Sequence, residues 1–407
     1  MSKWQQVKLG ELYDVHNGLS KSRDAFGSGY PFLSFSEVFN NYFLPQELKQ
    51  LVESTQKEQD SYSIHRGDVF ITRTSETMDE LGMSCVALHD YPNATYNGFT
   101  KRLRPKYPDR VLPEYIGYFL RTPLFRSKFV AFSTMTTRAS LRNEDLLTMD
   151  VTLPPIEVQR KIADVLSAYD DLIENNRKQI KLLEEAARRL YKEWFIDLRF
   201  PGYENTKIIN GIPEGWEKVQ LCELIAFNPK ITATNDTIKT FIPMEALSTS
   251  SMVISTAAVS ETSKNAGSKF EIGDTLLARI TPCLENGKTA FVSDIDKGVY
   301  GVGSTEFIVL RSKKLNPYIV YLLARTEEFR NYAINSMTGS DGRQRVKVDK
   351  LEMYSTLLPS RKIIDSFEQI VAPYFEKVKV LSKAVNSCQE ARDYLLPKLM
   401  TGELEMK

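Results

Sequence analysis

The chain is written twice, and this limits its possible folds more than any other feature. Trp4-Gln-Gln-Val7-Lys-Leu9-Gly-Glu11-Leu12 returns as Trp216-Glu-Lys-Val219-Gln-Leu221-Cys-Glu223-Leu224, 212 residues on. Arg66-Gly67-Asp68-Val-Phe-Ile-Thr-Arg73 returns as Ile272-Gly273-Asp274-Thr-Leu-Leu-Ala-Arg279, 206 on. Pro113-Glu-Tyr115-Ile116 matches Pro317-Tyr-Ile319-Val320, Met135 matches Met337, and Leu153-Pro154 matches Leu358-Pro359, with shifts of 204, 202 and 205. Five matches in one order with slowly drifting shifts mean a duplicated unit whose length changes fall in loops. The largest drift lies between residues 12 and 67, where the copies should differ most.

Each copy has two parts. The first, about 150 residues, mixes short β-type runs (Asp68 to Thr72; Glu306 to Leu310) with helical runs (Pro113 to Phe132; Pro317 to Ile334) opened by a proline, whose missing N–H is harmless in a first turn. This reads as an α+β domain. The second part is a long helix after Leu153-Pro154-Pro155 or Leu358-Pro359. The expected layout is one domain at 1–153, a helix at 154–200, a second domain at 201–358 with a linker at 201–213, and a second helix at 359–407.

The helices carry a periodic apolar series. In the first it runs Val158, Ile162, Val165, Tyr169, Leu172, Asn176, Ile180, Leu183, Ala187, Leu190, Trp194, with a four-four step at Asn176. In the second it runs Ile363, Phe367, Ile370, Tyr374, Val378, Leu381, Val385, Cys388, Arg392, Leu395, Leu399. Steps of three and four over this length indicate a coiled-coil seam, and the two helices are expected to lie antiparallel as one stalk with a domain at each end. Asn176 is expected in or beside the seam, fixing register, and Pro373 should kink or interrupt the second helix. The bland alternative is two amphipathic helices, each packed on its own domain. Nine basic and nine acidic residues between Ile156 and Arg199 make the first helix a spacer or partner surface, not a phosphate binder.

Composition narrows the class. With 42% hydrophobic and 11% aromatic residues the chain can bury real cores, and no run of 18 apolar residues exists to span a bilayer. Its first residues lack the apolar core of a signal peptide, so a cytoplasmic protein is expected. The four cysteines (Cys85, Cys222, Cys283, Cys388) never form C-x-x-C and the three histidines share no motif, which predicts reduced, mostly buried thiols and no zinc site.

Overall charge is +1, from 53 Lys+Arg and 52 Asp+Glu, but it is unevenly spread. Between Thr95 and Asp145 ten basic residues face four acidic ones; between Tyr300 and Lys350 nine face five. Two equivalent basic segments, one per copy, fit a duplicated nucleic-acid binder, although solvated helix faces would supply part of such an excess. Two loops sharpen the reading: Thr134-Met-Thr136-Thr137-Arg138-Ala-Ser140, and Thr338-Gly-Ser340-Asp-Gly-Arg343-Gln344-Arg345. Arginine and glutamine read guanine and adenine edges bidentately, while hydroxyls and amides hold phosphates. A further pair, Ile71-Thr72-Arg73-Thr74-Ser75 and Ala278-Arg279-Ile280-Thr281, follows each Gly-Asp turn. The candidate DNA contacts are therefore Arg73, Thr74, Thr136, Thr137, Arg138, Arg279, Thr281, Ser340, Arg343 and Gln344. The competing reading makes these ordinary polar turns, with Arg73 and Arg279 paired to domain carboxylates.

No catalytic set is present. Gly287-Lys288-Thr289 has Pro282 where a phosphate-binding loop needs glycine. Asn316-Pro317-Tyr318 lacks the second proline of the amino-methyltransferase motif, Gly301-Val-Gly303 has no third glycine, and Pro108-Asp109 has no downstream Glu-x-Lys. The chain is expected to be non-catalytic, with no metal and no cofactor of its own.

The wording around the helices resembles a known family: Gly211-Ile-Pro-Glu-Gly-Trp216 opening the second copy, Leu153-Pro-Pro-Ile156-Glu-Val-Gln159 entering the first helix, Tyr191-Lys-Glu-Trp194-Phe-Ile-Asp-Leu-Arg-Phe-Pro-Gly202 leaving it, and Leu395-Leu-Pro-Lys-Leu399-Met-Thr-Gly-Glu403-Leu404 at the close. These resemble the specificity (S) subunits of type I restriction–modification enzymes, over the whole chain. The resemblance implies two target recognition domains, each reading half of a bipartite DNA site. It also implies helices that set the spacing and dock two methyltransferase (M) subunits, which bind S-adenosylmethionine and methylate adenine. Motor-nuclease (R) subunits, using ATP and Mg²⁺, complete the enzyme. Base-contacting residues transfer poorly, because the recognition domains vary within the family. A helix from Ile156 to Asp197, 42 residues, would be about 63 Å long, somewhat under two turns of duplex at roughly 3.4 Å per base pair. The rival reading is a coiled-coil scaffold with duplicated protein-binding domains.

Overall fold

A glycine in left-handed conformation starts the same construction in each copy. Gly67 (φ +88°) and Gly273 (φ +91°) turn the chain into the central strands Val69–Thr72 and Thr275–Ala278, a backbone that only glycine adopts cheaply. The next residue, Asp68 or Asp274, is fully buried and takes a bidentate arginine from the neighbouring strand. Arg104 donates to Asp68 at 2.8 and 2.6 Å, and Arg311 donates to Asp274 at 2.7 and 2.7 Å. A carboxylate can be buried at this depth only with such partners. The Gly-Asp motif is thus a structural lock made twice.

The structure, a computed structural model, describes residues 4–75, 81–132, 134–135, 139–232, 238–295, 299–340 and 342–406. It divides into two compact units. Unit 1 is Met1–Asp171 with Cys388–Lys407, and unit 2 is Leu172–Ser387. Unit 1 contains a four-stranded antiparallel sheet in the order Tyr13–Asn17, Thr100–Pro105, Val69–Thr72, Ser84–Val86; unit 2 repeats it as Ile225–Phe227, Phe307–Ser312, Thr275–Ala278, Thr289–Phe291. Each unit adds a mixed sheet with one parallel pair, three-stranded in unit 1 with Phe32 beside Thr95 and four-stranded in unit 2 with Phe241 beside Val302. The opening strands Gln5–Lys8 and Glu217–Gln220 pair antiparallel with Asp150–Leu153 and Ser355–Leu358, at the entries to the long helices. The fold is mixed α and β, as expected.

The helical runs each break in two: Pro113–Phe119 with Pro123–Phe132, and Pro317–Ala324 with Glu327–Asn335. At each break a threonine hydroxyl, Thr122 or Thr326, accepts the amide three residues on and caps a new helix. At the same breaks Arg121 donates to the carbonyls of Ser84, Val38, Phe39 and Asn41, and Arg325 to those of Gly287 and Thr249.

The long helices span Ile156–Tyr191, continued by a π-helical turn at Lys192–Ile196, and Arg361–Thr401. The second runs through Pro373 without the expected interruption. Pro373 and Gln369, whose carbonyl loses its N–H partner, are both exposed, so water can take the freed acceptor. The seam also needs correction. Ile162, Phe367 and Leu381 are buried, and Val165, Tyr169, Leu183, Leu190, Tyr374 and Leu395 are half-buried. Ile370, however, is exposed, as is Leu172, while Leu166, Ile173 and Val371 are buried in their stead. Around Val165 to Leu172 and Ile370 to Tyr374 the buried face lies one residue later than the series read from sequence, which removes the four-four step at Asn176, while at Ile162, Ile180, Ala187, Phe367 and Leu381 it coincides with that series. Asn176 is half-buried and makes no side-chain hydrogen bond among the described residues.

In unit 2 the helices are antiparallel. Tyr191 and Trp194 meet Phe367 with ring centroids 6.4 and 5.6 Å apart, and Leu183 and Ala187 line one cavity with Tyr374, Phe375 and Val378. In unit 1 Arg392 of the second helix donates to Asp170 of the first at 2.6 Å. Tyr118 donates to the same carboxylate at 2.6 Å, and the guanidinium groups of Arg392 and Arg121 each lie over the Tyr42 ring. The four cysteines are free, but only Cys85 is fully buried; the others are half-exposed. Among the described residues no helix is long and apolar enough to cross a membrane.

Candidate nucleic-acid interface

The residue after each central strand is clamped from both sides. The Arg73 amide donates to the Phe99 carbonyl at 3.0 Å, and the Arg73 carbonyl accepts from Leu141 at 3.0 Å. Arg279 has the same arrangement, donating to Glu306 at 3.0 Å and accepting from Val346 at 2.9 Å. This brings together stretches more than 60 residues apart in sequence. Thr74–Ser75 pairs with Ala139–Ser140, which pairs with Thr134–Met135. In unit 2 the Thr281 amide and hydroxyl donate to the Gln344 carbonyl at 3.0 and 3.3 Å, and Met337–Thr338 pairs with Arg345–Val346. The two classes of candidate loop thus form one surface within each unit.

On that surface Ser340 and Arg343 are exposed, while Arg73, Thr74, Arg279, Thr281 and Gln344 are half-buried. Neither Arg73 nor Arg279 makes an ion pair among the described residues, and the Nε of each is buried without a hydrogen-bond partner. Among the described residues neither is tied to a carboxylate in the way the competing reading expects, although the Arg279 charge helps to hold the Glu306 carboxyl below the usual range. Thr136, Thr137 and Arg138 lie outside the described residues. Behind Arg73, Lys101 is buried and donates to Asn143 and Asn17. Burial, and then the Arg73 charge, hold its ammonium pKa below the usual lysine range.

The basic excess is smaller at the surface than in the sequence. Arg104, Arg121 and Lys106 of the first segment, and their counterparts Arg311, Arg325 and Lys313, hold internal carboxylates or carbonyls. Lys106 donates to Gly10 at 2.7 Å and Lys313 to Cys222 at 2.8 Å. Arg345 is also engaged: it grips Glu306 through Nε and Nη2 at 2.9 and 2.7 Å, which holds the Glu306 carboxyl below the usual range. That pair ties the loop carrying Arg343 and Gln344 to the sheet. Sequence reasoning missed Glu306, Phe99 and Lys101. Phe99 and Glu306 immediately precede, and Lys101 lies within, the strands Thr100–Pro105 and Phe307–Ser312, which none of the five sequence matches covers. Among the described residues no cluster of His, Cys, Asp or Glu could hold a metal ion.

Comparison with known proteins gives a consistent picture. The family described as type I restriction modification DNA specificity domain matches residues 1–185. The MjaIX specificity subunit of Methanocaldococcus jannaschii is 26% identical, the alignment covering 99% of this chain and 94% of the relative. The HindI specificity subunit of Haemophilus influenzae is 23% identical over 99% of this chain and 100% of its own length. The EcoEI specificity subunit of Escherichia coli is 33% identical over 39% of this chain and 28% of its own. The fold is like that of the type I restriction–modification S subunit of M. genitalium, with a TM-score of 0.61 at 14% identity, covering 100% of this chain and 97% of that one. The chain thus has a duplicated mixed domain and two long helices, and over its full length it is similar to specificity subunits of type I restriction–modification enzymes.

Proposed function

We propose that the chain supplies the DNA sequence recognition of a type I restriction–modification complex, with domains 1–153 and 201–358 each reading one half of a bipartite site. The observation that carries this reading is the convergence, in each unit, of the post-strand arginine with a polar loop. Exposed Arg343 and half-buried Gln344 suit base edges, and the hydroxyls of Thr74, Thr281 and Ser340 suit phosphates. Arg73, Arg279 and, in its loop, Arg138 with Thr136 and Thr137 complete the proposed surface.

In this reading the helices act as a stalk that separates the domains and docks two M subunits. S-adenosylmethionine is bound there, and ATP and Mg²⁺ on R subunits, so the chain makes no bonds itself. It works among soluble cytoplasmic components.

The test is sequencing of DNA modified by the complete complex carrying single variants. A bidentate arginine–guanine pair is worth on the order of 1–3 kcal/mol of discrimination, so Arg343→Ala should relax one half-site and Arg138→Ala the other. Unchanged motif and rate in both would refute this placement of the surface. Binding of random duplex that does not weaken steeply with salt would favour a protein scaffold instead.

A further inference from the structure

We propose that Phe99 makes an apolar contact with the 5-methyl group of a thymine in the half-site read by the first domain, an inference that rests on the DNA-reading function above. Phe99 is 53% exposed and sits beside Arg73, whose amide its carbonyl accepts. Its turn is rigid. The Phe99 amide donates to Asn97 Oδ1 at 2.7 Å, and the Thr100 amide and hydroxyl both donate to the Asn97 carbonyl, at 3.0 and 2.7 Å. At Gly98 a Cβ would lie 2.4 Å from Ser20 Oγ and 3.0 Å from the Leu19 carbonyl. The fixed backbone presents the ring to water from this one place.

The second copy supplies the independent observation. At the matching place, where the Arg279 amide donates, stands Glu306, whose carboxylate is occupied by Arg345. The two copies therefore share the backbone and differ completely in the chemistry presented. This is expected where two half-sites differ, and a shared structural role would not require it. A phenyl ring offers no hydrogen bond to a base edge, and the apolar group it can meet in the major groove is the thymine methyl.

The experiment uses the complete methyltransferase complex and duplexes carrying its modified site, with each thymine replaced singly by uracil, which removes the methyl and keeps the pairing. One replacement should slow methylation by wild type about fourfold, the worth of one buried methyl group. Phe99→Ala should be slowed by a similar factor on the thymine duplex and be indifferent to that replacement, while Phe99→Leu should retain sensitivity. The second half-site serves as internal control that each variant is folded. A wild-type profile in Phe99→Ala, or a wild-type complex indifferent to every uracil replacement in the first half-site, overturns the proposal. Failure of the wild-type complex to bind its duplex in a salt-dependent way would instead overturn the DNA-reading assignment.

Discussion

Replacing Arg392 tests how unit 1 joins the two long helices. Its side chain is 13% exposed and meets Asp170, 27% exposed, at 2.6 Å. Removing one member of a well-buried pair costs about 3–5 kcal/mol. Asp170 keeps the Tyr118 hydroxyl at 2.6 Å and some access to water, so Arg392→Ala should cost about 2 kcal/mol, after discounting for that exposure. Unit 2 shows the alternative. At the repeat shift of 205, Asp170 corresponds to Phe375 and Arg392 to Ala187, both buried in one apolar core. Asp170→Phe with Arg392→Ala transplants that solution. Since apolar replacement of a whole buried pair is often neutral, the double variant should fall only about 1 kcal/mol short of wild type, the cost of leaving the Tyr118 hydroxyl without its acceptor. The assay is amide hydrogen exchange in peptides covering 162–170 and 388–396. Arg392→Ala should speed exchange about thirtyfold, and the double variant much less. Unchanged protection in Arg392→Ala, or equal loss in single and double variants, would refute the account.

Three further outcomes follow from particular contacts. Glu184 is buried and accepts from the Ser251 hydroxyl at 2.6 Å and the Met252 amide at 2.8 Å, and burial raises its carboxyl pKa. Its folded value lies above the unfolded one of about 4.3, so its contribution is complete below that pH and is lost as pH rises through the folded value. Urea unfolding followed by Trp194 and Trp216 emission should therefore show a decline above about pH 4.3 that Glu184→Gln flattens; an equal pH slope in the variant would exclude this. Glu306→Ala should free Arg345 and relax one half-site in methylation sequencing, while costing under about 1 kcal/mol of stability because Arg345 is well exposed. The chain purified free of M and R subunits should neither methylate nor cleave DNA with Mg²⁺, ATP and S-adenosylmethionine present; labelled methyl transfer at a rate proportional to chain concentration would contradict that.

The duplication and the long helices were legible in the sequence because both are local patterns: a motif repeats in order, and a 3.6-residue period needs no partner to be seen. Helix phase was not. Val165 and Leu166 are both apolar, as are Ile370 and Val371, so only the packed neighbours decide which of each pair turns inward. The same holds for charge. Arg104 and Arg343 look alike in a count of basic residues, yet one is locked to Asp68, 36 residues away, and the other is exposed. Polar groups can even change sides. Gln159 of the first long helix accepts the Leu112 amide at 2.9 Å, whereas in unit 2 Asn316, at the place of Leu112, donates to the carbonyl of Ile364, at the place of Gln159. The sequence by itself determined the repeat, the fold class and the helices. Which arginines stay exposed was decided only in the tertiary structure, because burial and pairing depend on residues far apart in the chain whose proximity no local pattern encodes.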